Sequence, residues 1–206
     1  MGKKQVKQKG EITMETINDI VKENNMNKKY ELTDETKEIG RITLHRIRAL
    51  MDISRYGVRA GDIGGWIEAE SNLSQYGNAW VSGDARVYGN ARVYGNAVVC
   101  GDARVYGNAR VYGEALVNGN AEVSGNAEVK SIRDYAVFKN GWSSGRWFTC
   151  TRSNRMWRVG CFCGTGEELI AKAYKDSELS GKCYEAIVRA QEAIDRAIDE
   201  KEGDTK

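Results

Sequence analysis

Valine recurs at positions 81, 87, 93, 99, 105, 111, 117, 123 and 129 without a slip. Alanine stands two residues before each, from Ala79 to Ala127, and glycine two residues after each until Ser131. A fixed short period of this kind specifies a solenoid, in which each unit buries its face only against its neighbours. Read backwards, Ile63, Gly65, Ile67 and Leu73 keep the register, so the pattern begins near Gly61.

The repeated word, close to Ala-Arg-Val-Tyr-Gly-Asn, predicts its own geometry. Strand alternation turns Ala and Val to one side and Arg and Tyr to the other. The Gly-Asn or Gly-Asp that follows tolerates positive φ, so the chain corners there. The sequence has 23 glycines and no proline, and its bends must rest on Gly, Asn and Asp. A short strand and a corner every six residues close into a three-sided prism with a column of Val and Ala inside. Burying each valine contributes roughly 1.5–3 kcal/mol.

Four regions differ in character. Residues 1–26 are a basic tail and a short helix candidate with Ile17, Ile20 and Val21 as its apolar stripe, and 27–60 read as an N-terminal β cap. Residues 61–130 are the β-helix of about four coils, and 131–206 a β-hairpin followed by two helices. In the last region Thr165 with Glu168 forms a capping box that starts a helix through Leu169, Ile170, Ala173 and Tyr174. A second helix near 182–200 carries Cys183, Ile187, Ala190, Ile194 and Ala197 or Ile198 on one stripe.

The repeat resembles the hexapeptide-repeat, left-handed parallel β-helix proteins, in which three six-residue units make one coil. With "KYELTDETKEIGRITLHRIRAL" and "GVRAGDIGGWIEAESNLS" before it, the chain resembles YdcK-like proteins, often carried by phages and prophages. The stretch "VGCFCGTGEEL" resembles a small module that follows the repeat in phage-borne relatives. The resemblance spans residues 27 to about 185 and implies a trimer packed around a threefold axis. It also implies a protein that acts on a host process.

Enzymes of the hexapeptide type are implied to use a coil histidine as general base in acyl transfer, or three histidines on a metal. This chain has one histidine, His45, placed before the repeat beside Thr43 and read as a surface or packing residue. A three-histidine zinc site is excluded by counting. Asp84, Asp102 and Glu114 stand at corner positions otherwise held by Asn and read as turn formers. Cys150, Cys161, Cys163 and Cys183 lack the Cys-x-x-Cys knuckle, and Cys100 falls outward on a coil. We expect reduced thiols, no metal, no cofactor and no catalytic residue.

Lys plus Arg number 31 and Asp plus Glu 29, a balance that favours neither a nucleic-acid nor a membrane partner. No apolar run approaches the ~18 residues of a membrane span, and the start has no apolar core of a secretion signal. A bacterial cytoplasm is the expected location.

Residues 18 apart should stack, giving three outer faces. The first carries Trp80, Val98 and Leu116, an apolar column that needs a cover, either another subunit or the chain's own C-terminal helix; the resemblance favours the interface of a homotrimer. The second carries Arg86, Arg104 and Glu122 with Tyr88 and Tyr106; the third carries Arg92, Arg110 and Glu128 with Tyr94 and Tyr112. Stacked arginines repel one another, eased by tyrosine rings between them or by a bound anion. The repeat holds five basic and eight acidic residues, which argues against a long nucleic-acid track.

Residues 131–160 hold six basic residues and one acidic. Alternation puts Trp147, Thr149 and Thr151 on one side of a strand and Arg146, Phe148, Cys150 and Arg152 on the other. Trp157 and Val159 lie opposite Arg158, with "RSNR" as the hairpin turn. One side caps the coil and the other shows arginine. The expected function is non-enzymatic, oligomeric binding, and the resemblance to phage-borne relatives implies a counter-defence role, either sequestering an anionic nucleotide signal or blocking a host protein. The contact residues are the two Arg/Tyr columns with Arg146, Trp147, Arg155, Trp157 and Arg158. An acyltransferase-like enzyme and a purely structural element are the alternatives.

Overall fold

The structure, a computed structural model, describes residues 28–203; the tail and helix expected around Ile17, Ile20 and Val21 lie outside the described residues. Nine two-residue strands, β4 (Trp80–Val81) to β12 (Glu128–Val129), each end on one of the repeated valines. They pair in parallel three apart, in three columns: Trp80 with Val98 with Leu116, Arg86 with Arg104 with Glu122, Arg92 with Arg110 with Glu128. The chain is thus a mainly β protein around a four-turn parallel solenoid. All nine valines and their alanines are buried in one core. The corners hold because glycine recurs where the backbone turns left-handed. At Gly107 φ is +70°, and an added Cβ would stand 3.0 Å from the backbone nitrogen of Gly125 one coil on. Beside these glycines, Asn90, Asn108 and Asn126 form an amide ladder, each Nδ2 donating to the next Oδ1 at 3.1 Å.

The first coil departs from the expected register. Ile67 pairs with Val87 and Leu73 bridges to Val93, twenty residues apart instead of eighteen. Two extra residues lie between Leu73 and Val81, and Ile63 is 51% exposed, outside the inner column. The insertion anchors the cap: Gln75 Oε1 accepts from the N–H groups of Lys29 (2.9 Å) and Tyr30 (3.3 Å), and its Nε2 donates to Tyr30 O (3.1 Å).

That cap is a hairpin of β1 (Tyr30–Ile39) and β2 (Ile42–Ala49), joined antiparallel to β3 (Ile63–Ile67). From β3 the sheet continues in parallel through the coil rungs, so one six-stranded sheet links cap and coil. Tyr30, Ile47, Ala49 and Ile53 close the mouth and share the coil's core. Backbones approach closely here: a Cβ on Gly64 would lie 2.7 Å from Val81 O and 2.5 Å from the Ile47 side chain.

The other mouth meets an antiparallel meander of β13 (Tyr135–Lys139), β14 (Trp147–Thr151), β15 (Met156–Val159) and β16 (Phe162–Gly164). An open coil end exposes unpaired strand groups, which cost free energy unless met. Here Thr149 Oγ1 accepts from Glu122 N (2.9 Å), Ser153 Oγ accepts from Glu128 N (2.8 Å), and Tyr135 OH donates to Leu116 O (2.9 Å).

The meander's other side carries helices α1 (Gly166–Asp176) and α2 (Glu178–Gly203). Phe148, Cys150, Trp157, Leu169, Ile170, Ala173, Tyr184 and Val188 form this second core, and the Thr165–Glu168 capping box is present. Both sides of the sheet are therefore covered, and neither displays a free row of arginine. Trp157 is core, and Arg158, with Thr149, faces the coil. The stripe of α2 is also rotated from the expected one: Tyr184, Val188 and Gln191 point inward, while Ala190 and Ile194 are exposed. The reason is aromatic. Tyr184 sits 5.2 Å from both the Trp142 and Phe148 rings, an anchor that outweighs the smaller Ile194.

Candidate anion-binding cleft

The three outer faces are placed as the eighteen-residue stacking requires, but their surroundings differ. On the first face Trp80 is 3% exposed and meets Tyr30 edge-on at 6.5 Å. The chain's own cap covers it, so Trp80 is not part of an open strip. Val98 and Leu116 stay half-buried. The segment before β3 flanks this face, with Tyr56 OH bonded to Asn96 O and Arg55 paired with Glu114.

On the other two faces, identical side chains one rung apart fall in line. Tyr88 and Tyr106 stack at 5.0 Å with 2° between planes, and Tyr94 and Tyr112 at 5.0 Å and 3°. The rings thus stack on one another and do not separate the arginines, contrary to expectation, because the parallel register aligns like with like. Cations instead cover the C-terminal end of each stack: Arg158 lies 5.3 Å from the Tyr106 ring and Lys130 5.9 Å from the Tyr112 ring. Burial, above other causes, pushes the Tyr106 phenol up to about 12 and raises Tyr88 as well. Both stay protonated at neutral pH, and Tyr106 OH donates to Glu122 Oε2 at 3.3 Å.

The second face is where the sequence-predicted residues converge. Arg86, Arg104, Arg146 and Trp147 line a cleft of about 400 Å³ together with Asp102, Asn120, Glu122 and Gly160. Coil register sets Arg86 and Arg104 one rung apart, about 4.8 Å. The turn between β13 and β14 delivers Arg146 and Trp147 from the meander, and Gly145 at φ +65° helps make that turn. A Cβ on Gly160 would come within 3.3 Å of the Arg146 guanidinium, so the glycine leaves Arg146 room to lie against the β15–β16 turn.

The charges in the cleft are unevenly matched. Glu122 is already engaged, by Arg104 Nη1 at 3.2 Å, Arg158 Nε at 3.4 Å and the Tyr106 hydroxyl. Among the described residues, Arg86 and Arg146 have no carboxylate at ion-pair distance. Trp147 is 43% exposed at the rim, with Lys139 Nζ 5.5 Å from its ring. The site offers guanidinium donors in fixed register beside an open aromatic face. Such a set pairs with phosphate oxygens and stacks a planar ring.

The remaining sequence candidates are not in this cleft. Arg92, Tyr94, Arg110 and Tyr112 occupy the third face, with Arg110 Nη1 3.4 Å from Glu128. Arg155, at φ +51°, lies in the β14–β15 turn and borders a separate hollow beside Arg189 and Glu192. Sequence reasoning missed Asn120 and Lys139. Asn120 was findable, being eighteen residues after Asp102; Lys139 had no periodic signal. His45 lies on β2 opposite Ile67. Among the described residues no three His, Cys, Asp or Glu side chains gather as metal ligands, and no helix is long and apolar enough to cross a membrane.

The YdcK beta solenoid repeat model matches residues 85–101 and 103–119. These two segments contain the rungs of Arg86, Arg92, Arg104 and Arg110, the same coils that build the cleft wall and the tyrosine stacks. The solenoid is YdcK-like. No curated protein matches the chain. The YdcK-like coil supplies the fold and the arginine register, and the meander that follows supplies Arg146 and Trp147.

Proposed function

We propose that this protein is a non-enzymatic, oligomeric binding protein that holds an anionic nucleotide in the cleft between its YdcK-like solenoid and its C-terminal meander. The observation that carries this reading is the convergence of Arg86, Arg104 and Arg146 with the exposed Trp147 ring. Phosphate oxygens meet the guanidinium groups, and the base lies on Trp147. The coils have no histidine to act as a general base, which favours retention of a ligand over its turnover. The resemblance to phage-borne proteins extends the reading: in the cytoplasm of a bacterial host, the protein sequesters a nucleotide signal of a defence pathway. Val98 and Leu116, half-buried on the first face, are the surface left for a homotrimer contact.

Native mass spectrometry of freshly purified protein reads subunit count and retained ligand together. Titration of the ligand-stripped protein with adenosine diphosphate then measures the cleft. The proposal expects an oligomer, and binding that weakens at least tenfold in the Arg86→Gln, Arg146→Gln double variant. A monomer sinks the oligomeric half. Equal affinity in the double variant sinks the cleft. Turnover of an acyl-coenzyme A sinks the non-enzymatic half, and capture of one host protein with no nucleotide bound replaces sequestration with blockade.

A further inference from the structure

The two-residue insertion in the first coil leaves a gap in the third face. In a regular coil each outward tyrosine has its N–H bonded to the carbonyl one rung on, as Tyr94 N donates to Val111 O at 3.0 Å. The rung position above Tyr94 belongs to Ser74, whose N–H donates to Val93 O at 2.9 Å. Serine is too small to cover a phenol ring. Tyr76, eighteen residues before Tyr94, would take that place in an unbroken repeat; the insertion displaces it, and it is 85% exposed. One face of Tyr94 is stacked on Tyr112 at 5.0 Å, and the other opens into a hollow of about 550 Å³ whose lining includes Ser74, Tyr76, Arg92 and Tyr94.

The same hollow has a cation without a partner. Among the described residues Arg92 makes no ion pair, whereas Arg110 one rung on is paired with Glu128 at 3.4 Å. Asn72, one rung above Arg92, commits its amide to the carbonyls of Gly89 and Ala91, each at 2.9 Å, and leaves Arg92 uncovered. Arg92 and Tyr94 are two residues apart on one side of a strand, which separates their Cα atoms by about 6–7 Å.

We infer that this hollow is a second binding site, taking a planar aromatic ring whose anionic group lies several ångströms from it, as in a nucleoside monophosphate. The ring enters the vacant place in the tyrosine stack, between Tyr94 and the displaced Tyr76, and the anion pairs with Arg92. Stacking on an aromatic face tolerates any base, while the guanidinium selects for charge. The site shares no residue with the cleft on the second face and stands without it.

The test is calorimetric titration of the full chain, in the Arg86→Gln, Arg146→Gln background that disables the cleft. The probes are adenosine monophosphate, adenosine, inorganic phosphate and benzoate. Adenosine monophosphate is expected to bind at least tenfold tighter than the other three. Ser74→Tyr, which restores the missing ring of the stack, is expected to weaken it at least tenfold with an unchanged or raised melting temperature. Arg92→Gln should reduce adenosine monophosphate to the affinity of adenosine. The inference is overturned if phosphate or benzoate binds as tightly as adenosine monophosphate. It is equally overturned if Ser74→Tyr folds and binds as the parent does, or if the parent binds none of the probes.

Discussion

The ammonium of Lys29 lies 2.7 Å from the carbonyl oxygen of Ala79, inside the mouth of the solenoid, with the side chain 2% exposed. It meets one of the first coil's carbonyls where a further coil would otherwise have supplied an N–H. Burial pushes this lysine down from 10.5 to about 8. A folded-state value below the unfolded one means that the unfolded chain holds the proton more tightly. Stability from this group is therefore flat below pH 8 and rises as pH climbs from 8 towards 10.5. Between pH 7.5 and 9.5 the parent should gain about 2 kcal/mol relative to Lys29→Met, by denaturant midpoints at both pH values. A constant difference would show that the lysine keeps its ordinary affinity for protons.

Gln75 ties the inserted residues to β1 through three hydrogen bonds. Gln75→Ala leaves two N–H groups and a carbonyl of the cap without partners and should cost about 2–3 kcal/mol. The neighbouring Tyr76→Ala should cost less than about 0.5 kcal/mol, as for an exposed surface position. Hydrogen exchange should localise the first loss to Lys29–Ala49.

Gly107 and Gly119 both have positive φ, +70° and +61°, but only Gly107 has another coil's backbone against its Cα. Alanine at either site meets the left-handed penalty of roughly 1–2 kcal/mol. At Gly107 the new methyl also stands 3.0 Å from Gly125 N, so Gly107→Ala should melt several degrees below Gly119→Ala. Equal melting temperatures would show that the coils are free to slide apart.

Glu122 neutralises Arg104 and Arg158 and so competes with any anion entering the cleft. Glu122→Gln keeps its shape and removes that competition. Pyrophosphate should bind about 3–10-fold tighter, with a steeper loss of affinity as salt rises. The same change should lower stability by about 1–2 kcal/mol, because Arg158 loses its charged partner.

What could be read from sequence followed from period. Val81 to Val129 give the coil, its inside and its three faces, because one residue type repeated at one spacing admits a single packing. The slip at Gln75 and Tyr76 was legible as the eight-residue step from Leu73 to Val81 but was passed over, because Ile63 continues the spacing by count; antiparallel pairing with Arg48 turns Ile63 outward. Arg146 was legible as part of a basic stretch, but its meeting with Arg86 depends on how the meander sits against the coil, which no local pattern encodes. Trp157 and Ile194 were misplaced because alternation gives the two sides of an element without saying which neighbour covers each. There the size of an aromatic anchor such as Tyr184 decides.

A stack of interchangeable rungs is how a fibre grows, and nothing in the rungs themselves sets an end. Here the first is stoppered by Lys29 and Tyr30 and the last by Thr149, Ser153 and Tyr135. Termination is thus a property of the two plugs alone, and the height of the tower is open to change in whole storeys. Duplicating residues 90–107 would lift one plug away from the other by a single storey while leaving each seated on the surface it already fits.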